Sequence, residues 1–91
     1  MGTMVVTLKI MPSSPEINLD YLTERIKEKL KTFNITNLKK EIKPIAFGLN
    51  SIHLYFTVNE DFENLESIEN KIKEIEGVSS AEIIGMSRAL G

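Results

Sequence analysis

Apolar and polar residues alternate along two segments of the chain, residues 5–10 and 52–59. Successive side chains of a strand point to opposite faces of a sheet, so this period of two predicts one half-buried strand in each segment. Pro12 and Pro15 end the first strand, because proline cannot donate to a strand ladder. The apolar positions of the two strands are Val6, Leu8, Ile10, Ile52, Leu54, Phe56 and Val58.

Two other segments, residues 19–33 and 65–75, repeat apolar residues every three or four positions. This spacing predicts two amphipathic helices. Asn18 is the expected N-cap of the first helix, and Gly77 is the expected C′ residue that stops the second. The apolar positions are Leu19, Leu22, Ile26, Leu30 and Phe33 in the first helix, and Leu65, Ile68, Ile72 and Ile75 in the second.

The remaining segments predict two further strands. Residues 38–43 are short and rich in charge, which is typical of an edge strand, and residues 44–48 read as a turn or loop. A last strand is expected from Val78 onward. Its apolar residues change phase near Gly85, which predicts a β-bulge there. The residues on either side of this change are Ala81 and Ile83, then Ile84 and Met86.

The resulting order, βαββαβ, predicts a ferredoxin-like α+β sandwich with a four-stranded antiparallel sheet and two helices on one face. We expect residues 1–91 to form a single domain. The first and third strands are the most apolar and belong in the centre of the sheet, while the charged second strand belongs at an edge. The opposite face is mixed in character, so it is either ordinary surface or a partner surface. It would carry Val5, Thr7, Met11, His53 and Tyr55.

Composition and charge narrow the function. The 91 residues include 11 Lys and Arg against 13 Asp and Glu, for a net charge of −2, which argues against a strongly basic nucleic-acid binder. The absence of cysteine excludes disulfides, zinc fingers, iron–sulfur clusters and thiol nucleophiles. No apolar run approaches the roughly 18 residues of a membrane span, so we expect a cytoplasmic protein.

The charges are unevenly distributed along the chain. Residues 16–45 hold seven basic and five acidic side chains, whereas residues 59–77 hold seven acidic and two basic ones. The electric field of such an uneven charge distribution can orient a charged protein partner. The alternative is an acidic helix face that is simply solvated.

The chain offers little for covalent chemistry. His53 is the single histidine, and no second ligand stands at a metal-binding spacing from it. The serines lack a nucleophile elbow, and no glycine-rich phosphate loop is present. We therefore expect neither an enzyme nor a bound cofactor or metal.

The turn at residues 44–48 contains a large aromatic residue, Phe47, between Ala46 and Gly48. Either its side chain folds back as a hydrophobic plug, or it stands out as a rigid knob that fills a pocket of a partner. The pattern alone leaves both readings open.

The sequence of this turn and of three other segments resembles the elongation factor 1-beta family. Its members are the guanine-nucleotide exchange factors of elongation factor 1-alpha. The resemblance rests on the motif P-I-A-F-G-L at residues 44–49 and the strand at residues 52–58. Residues 11–16 resemble the opening of archaeal members, and residues 75–82 resemble their last helix-to-strand turn. The resemblance extends over essentially the whole chain and implies the same ferredoxin-like fold.

The resemblance also implies site residues. Phe47, with Ile45, Ala46 and Gly48, would contact the GTPase partner, which binds GDP or GTP with magnesium. Arg88 stands where the family has a basic residue that reaches toward the magnesium and phosphates; eukaryotic members have Lys there. No direct contact with nucleic acid or membrane is implied.

Two other functions share this fold and stay as alternatives. An RNA-binding sheet stacks bases on aromatic residues of its central strands, and here the open face offers only Tyr55. A ligand-binding regulatory module of the ACT type has the same element order, but no glycine-rich turn follows the first strand.

Overall fold

The computed structural model describes residues 2–88, and within them one antiparallel sheet has the strand order β2-β3-β1-β4. Its elements confirm the predicted βαββαβ order and the ferredoxin-like α+β fold. The two apolar strands lie in the centre and the charged strand lies at an edge, as expected. The elements are β1 (Thr3–Pro12), α1 (Leu19–Lys31), β2 (Leu38–Pro44), β3 (Asn50–Asn59), α2 (Leu65–Lys73) and β4 (Val78–Arg88).

The hydrophobic core lies between the sheet and the two helices. Val6, Leu8 and Ile10 of β1 are fully buried and pair with buried residues of β3, so both central strands present one apolar face to the helices. Each such side chain contributes about 1.5–3 kcal/mol when it is fully buried. From the helices, the core receives Leu22, Ile26, Leu30, Ile68 and Ile72, all at the predicted positions.

Helix α1 begins where the sequence predicts. The Oδ1 atom of Asn18 accepts a hydrogen bond of 3.0 Å from the Tyr21 N–H, which satisfies one of the free donors of the first turn. Asp20 lies in that turn, where the helix dipole favours a negative charge.

The end of α1 differs from the prediction. The helix stops at Lys31, so Phe33 lies in the turn that follows, half-buried against the core. Asn34 has a left-handed φ of 63°, and the Ile35 N–H donates to the carbonyl of Leu30 over 3.1 Å. This is the pattern of a Schellman motif, and the apolar contact that accompanies it places Ile35 in the core.

Helix α2 also ends earlier than predicted. It stops at Lys73 with Glu74 as its C-cap, so the expectation that Gly77 is the C′ residue is wrong. Gly77 instead has a φ of 99° in the turn that leads into β4. There its carbonyl accepts a hydrogen bond of 2.9 Å from the Ser13 N–H, which joins this turn to the end of β1.

The two edge strands of the sheet, β2 and β4, differ in structure. Strand β2 is exposed along nearly its whole length and runs through Pro44, one residue further than predicted. Proline is tolerated there because the missing N–H of an edge residue need not serve a ladder. Strand β4 carries the predicted bulge, since Thr7 pairs with Gly85 while Leu8 pairs with Ile83. The Ile83 N–H donates to Oε2 of Glu69 over 2.7 Å, which ties α2 to β4.

Within residues 2–88, no helix is long and apolar enough to cross a membrane.

Candidate partner-binding site

The turn between β2 and β3 presents Phe47 almost completely to solvent. The residue is 94% exposed, the highest value among the large apolar residues in the described range 2–88. Pro44 pairs with Asn50 at the base of the turn, and the Ile45 N–H donates to the Leu49 carbonyl over 2.8 Å. Of the two readings that the sequence left open for Phe47, the hydrophobic plug is therefore wrong, because this residue buries almost nothing.

The backbone of the turn is unusual for an aromatic residue. Phe47 has φ 62° and ψ 31°, and Gly48 follows with φ 75°. Together with a hydrogen bond of 3.3 Å from the Leu49 N–H to the Ala46 carbonyl, these angles have the form of a type I′ turn. The left-handed region costs an L-residue about 1–2 kcal/mol, and Asn is the usual choice at this place.

No packing contact of Phe47 or Gly48 offsets the cost of this backbone strain. A Cβ added to Gly48 would meet nothing within 4 Å, so the tip of the turn at Gly48 stands clear of the rest of the protein. Phe47 thus occupies a costly conformation and contributes almost no burial to the fold. Conformational outliers of this kind concentrate at functional sites, which makes the turn the first candidate for partner binding.

The other predicted residues of the turn have distinct positions. Ile45 is half-buried at the base of the turn, while Ala46 and Gly48 are exposed on either side of Phe47. Small neighbours leave both sides of the ring accessible. Contact of these four residues with a partner stays a prediction.

Arg88 lies at the opposite end of the sheet. It is the last residue of β4, pairs with Met4 of β1, and has a side chain that is 75% exposed. Its Nη2 atom lies 3.2 Å from Oε2 of Glu60, in the loop after β3. No sequence pattern indicates this ion pair, since Glu60 and Arg88 are far apart in the chain. Residues 89–91 lie outside the described part.

The structure does not bring Phe47 and Arg88 together. Strand β3 begins at Asn50, directly after the turn. Val58 of β3 and Arg88 of β4 lie level with each other, since both pair with Met4. The eight residue-to-residue steps from Asn50 to Val58, at about 3.3 Å each, place Arg88 roughly 26 Å along the sheet from the turn.

The open face of the sheet lies between these two ends. Tyr55 donates its hydroxyl hydrogen to Oε1 of Glu41 over 2.9 Å, and Lys43 lies 3.4 Å from the same oxygen. The hydrogen bond from Tyr55 is the main cause that holds the pKa of Glu41 below its usual value, with Lys43 next. The same hydrogen bond raises the pKa of Tyr55.

His53 lies on this face, as predicted, but it is buried, with 8% of its surface exposed. It sits on a central strand between Glu41 and Lys9, its cross-strand neighbours. Burial lowers its pKa, and the positive charges of Lys43 and Lys9 lower it further. In residues 2–88, no group of three or more His, Cys, Asp or Glu residues is placed to hold a metal ion.

The acidic segment at residues 59–77 is largely solvated. Six of its seven carboxylate side chains are exposed, and the seventh, Glu69, is half-buried where it accepts the Ile83 N–H. Exposure of this kind fits both a solvated face and a dock for a positive partner. Use of the segment by a partner stays a prediction.

The comparisons with known proteins cover almost the whole chain. Residues 5–89 match the model of the EF-1 guanine nucleotide exchange domain. The Elongation factor 1-beta of Nanoarchaeum equitans is 44% identical over 82 residues, which span 90% of this chain and 100% of that protein. The proteins of the same name from Saccharolobus islandicus and Saccharolobus solfataricus are 42% identical over 90 residues, which span 97% of both chains.

These relatives are archaeal, and the matched range contains both the turn at residues 44–49 and Arg88. Identity at this level over nearly full length is accompanied by the fold that the family resemblance implied. The chain therefore belongs to the EF-1 guanine nucleotide exchange domain family of translation elongation factors.

Proposed function

We propose that this protein promotes the release of GDP from the elongation factor 1-alpha GTPase, so that the GTPase can rebind GTP during protein synthesis. The observation that carries this proposal is Phe47, an aromatic residue that is 94% exposed in a strained turn. The turn lies within the range that matches the exchange-domain family. In this proposal residues 1–91 form one exchange domain, which acts in the cytoplasm.

Exchange of this kind needs binding energy and no covalent step. A factor that binds the nucleotide-free GTPase more tightly than the nucleotide-bound form must, by linkage, weaken nucleotide binding to the same extent. Release that is 10³-fold faster corresponds to roughly 4 kcal/mol of barrier. One aromatic anchor at the centre of an interface contributes about 2–4 kcal/mol, so one or two well-placed side chains are enough.

Phe47 is suited to the role of that anchor. Its backbone is fixed by the hairpin, and its side chain has only two rotatable bonds, so little conformational entropy remains to be lost on docking. Ala46 and Gly48 carry almost no side chain beside it, which lets the walls of a pocket approach the ring. Ile45, half-buried below, supports the base of the turn.

Arg88 is the proposed electrostatic element. In the partner, the nucleotide phosphates coordinate magnesium. A cation that is brought near these phosphates competes with magnesium for their negative charge. The nucleotide and the metal are bound by the partner and not by this chain. Arginine offers a planar fork of donors where lysine offers a point charge, so it can contact two phosphate oxygens together.

The two elements require an extended interface. They lie roughly 26 Å apart along the sheet. A standard protein interface covers about 800 Å² on each partner, or some 28 Å across if it is square. A single GTPase can thus contact both ends of this domain at once, with the sheet between them acting as a rigid spacer.

Neither alternative function gains support from the structure. Tyr55, the one aromatic residue that the sequence offers for base stacking, has its hydroxyl group bound to Glu41. The turn after β1 shows no glycine that would open a ligand site of the ACT type.

The decisive experiment measures GDP release directly. Elongation factor 1-alpha is loaded with a fluorescent GDP analogue and mixed in a stopped-flow instrument with excess GDP, with and without this protein. We expect a release rate that rises with the concentration of the protein and then saturates. An unchanged rate at micromolar concentration would contradict the proposal.

Two parallel measurements separate the alternatives. Binding to single-stranded RNA that weakens steeply with salt would support an RNA-binding domain. An increase of the melting temperature with free amino acids would support a regulatory ligand-binding module.

A further inference from the structure

Glu60, in the loop after β3, contacts both Gly2 near the start of the chain and Arg88 of β4. Its carboxylate Oε2 lies 3.2 Å from Nη2 of Arg88, and its N–H donates to the carbonyl of Gly2 over 3.0 Å. Its side chain is 38% exposed, about half the value for Arg88. The carboxylate is thus placed against the backbone on one side and against the guanidinium on the other.

Gly2 provides the space for this arrangement. A Cβ built on Gly2 would overlap Oε2 of Glu60, the same oxygen that contacts Arg88. Any larger residue at position 2 must displace the carboxylate. The absence of a side chain at Gly2 therefore leaves room for the carboxylate at the place where it meets the guanidinium.

We propose that Glu60 is a positioning residue for Arg88, which it holds in the orientation that meets the partner; this inference rests on the proposed function. Arginine has about 2 kcal/mol of rotamer entropy, so an unrestrained Arg88 would have to be ordered when the partner binds. Glu60 orders it beforehand.

The geometry favours positioning over sequestration. The ion pair joins Nη2 of Arg88 to Oε2 of Glu60, while a guanidinium has five N–H donors in all. With 75% of its side chain exposed, Arg88 keeps N–H donors that can bind an anionic group of the partner. Glu60 therefore restrains the guanidinium from one side and leaves hydrogen-bonding capacity for the partner.

The test is a double-mutant cycle on the GDP release rate at saturating factor. We expect Glu60→Ala to slow release by between about two- and ten-fold, the range that corresponds to ordering one long side chain. In an Arg88→Ala background the same substitution should have no further effect, because there is no guanidinium left to position. Asp61→Ala is the matched control, since it removes the same charge one residue later and Asp61 has no ion pair among residues 2–88.

A second variant keeps Glu60 but moves it. Gly2→Ala should slow release to a similar degree, and this effect too should disappear when Arg88 is absent. Thermal melts of all variants check that each is folded, and only rates of folded protein are compared.

Each outcome has a definite meaning. Effects of Glu60→Ala that simply add to those of Arg88→Ala, or equal those of Asp61→Ala, would reduce Glu60 to a general surface charge and overturn the inference. Faster release by Glu60→Ala would show that Glu60 withholds Arg88 from the partner, which also overturns it. If the wild-type protein itself fails to accelerate release, the proposed function fails instead.

Discussion

The two ends of the sheet present their candidate side chains in different physical ways. At one end Phe47 is held by its backbone, in a left-handed conformation fixed by the β2–β3 hairpin. At the other end Arg88 is the last residue of β4, and its side chain is held by an ion pair with Glu60. Presentation by backbone geometry is insensitive to salt, whereas presentation by an ion pair is screened by it.

The two ways of holding a side chain also have different effects on the stability of the fold. The turn stores about 1–2 kcal/mol of backbone strain at Phe47, so the fold would be more stable without that residue in that conformation. Arg88 carries no such cost, and an exposed ion pair of this kind contributes little to stability. The turn therefore lowers the stability of the fold in order to hold Phe47 rigid, whereas the ion pair orders Arg88 with little effect on stability.

The largest effect is expected at the strained end. Phe47→Ala should slow saturated GDP release by roughly 30- to 1000-fold, the loss of an anchor worth about 2–4 kcal/mol. It should leave the free energy of unfolding within about 0.5 kcal/mol of the wild type, because an exposed side chain is removed. Stopped-flow release and urea unfolding measure the two quantities.

Tyr21→Ala is the matched control, since Tyr21 is also a large exposed aromatic but lies on a regular helix. An equal loss of exchange in both variants would show that the turn has no special role. A loss of several kcal/mol in the free energy of unfolding of Phe47→Ala would mean that the Phe47 side chain packs against the rest of the protein as a plug.

The next largest effect is expected at the charged end. Arg88→Ala should slow release by about ten- to 100-fold, which corresponds to the 1.5–3 kcal/mol of a hydrogen bond to a charged group. Arg88→Lys should recover part of the rate, since it keeps the charge but loses the planar fork. The control is Arg25→Ala, an exposed arginine on α1. An unaffected rate in Arg88→Ala would remove this end from the mechanism.

Salt should distinguish the two ends. Between about 0.1 and 1 M salt the Debye length falls from about 10 to 3 Å. The ratio of the wild-type to the Arg88→Ala rate at saturating factor should therefore fall several-fold, while the ratio for Phe47→Ala stays constant. The measurement is the same release assay at a series of salt concentrations. Equal salt dependence of the two ratios would mean that both ends act through charge.

A stability experiment isolates the strain itself. Phe47→Gly should be more stable than Phe47→Ala by about 1 kcal/mol, because glycine adopts positive φ without steric cost. Gly48→Ala should lose a similar amount, although an added Cβ meets no neighbour there. Urea unfolding measures both. If Phe47→Gly is not the more stable variant, the turn is not strained.

The smallest effect concerns the face between the two ends. Burial lowers the pKa of His53 below 6.5, with Lys43 and Lys9 adding to the shift and Glu41 opposing it. The unfolded chain then binds a proton before the folded one, so stability should fall as the pH is lowered from about 6.5 toward 5. His53→Gln should remove this slope without a change in exchange at pH 7. A wild-type slope that survives the substitution would assign it to other groups.

The sequence was most informative where one pattern fixes one structure. Alternation at residues 5–10 and 52–59 predicted both the central strands and their buried faces, because a period of two leaves only one apolar side to cover. The side chain of Asn18 predicted the start of α1 by local hydrogen bonding alone. Helix ends were less predictable: Phe33 and Gly77 fit the pattern but lie beyond the helices, since the chain must turn there to reach the next strand.

The candidate site divides in the same way. The motif around Phe47 and the position of Arg88 could be identified from the sequence, because a family resemblance is carried by short segments. Whether Phe47 is a plug or a knob could not, since exposure depends on what the rest of the chain leaves uncovered. Glu60 could not be found at all, because only the sheet register brings it beside Arg88.

The sequence by itself thus determined the element order, the fold, the buried faces of the central strands and the family of this protein. These follow from local periodicity, local capping and short motifs. Only the tertiary structure decided that Phe47 stands free in a strained turn, that His53 is buried, and that Phe47 and Arg88 lie at opposite ends of the sheet. These depend on strand pairing between distant residues, and strand pairing is set by the packing of the whole core.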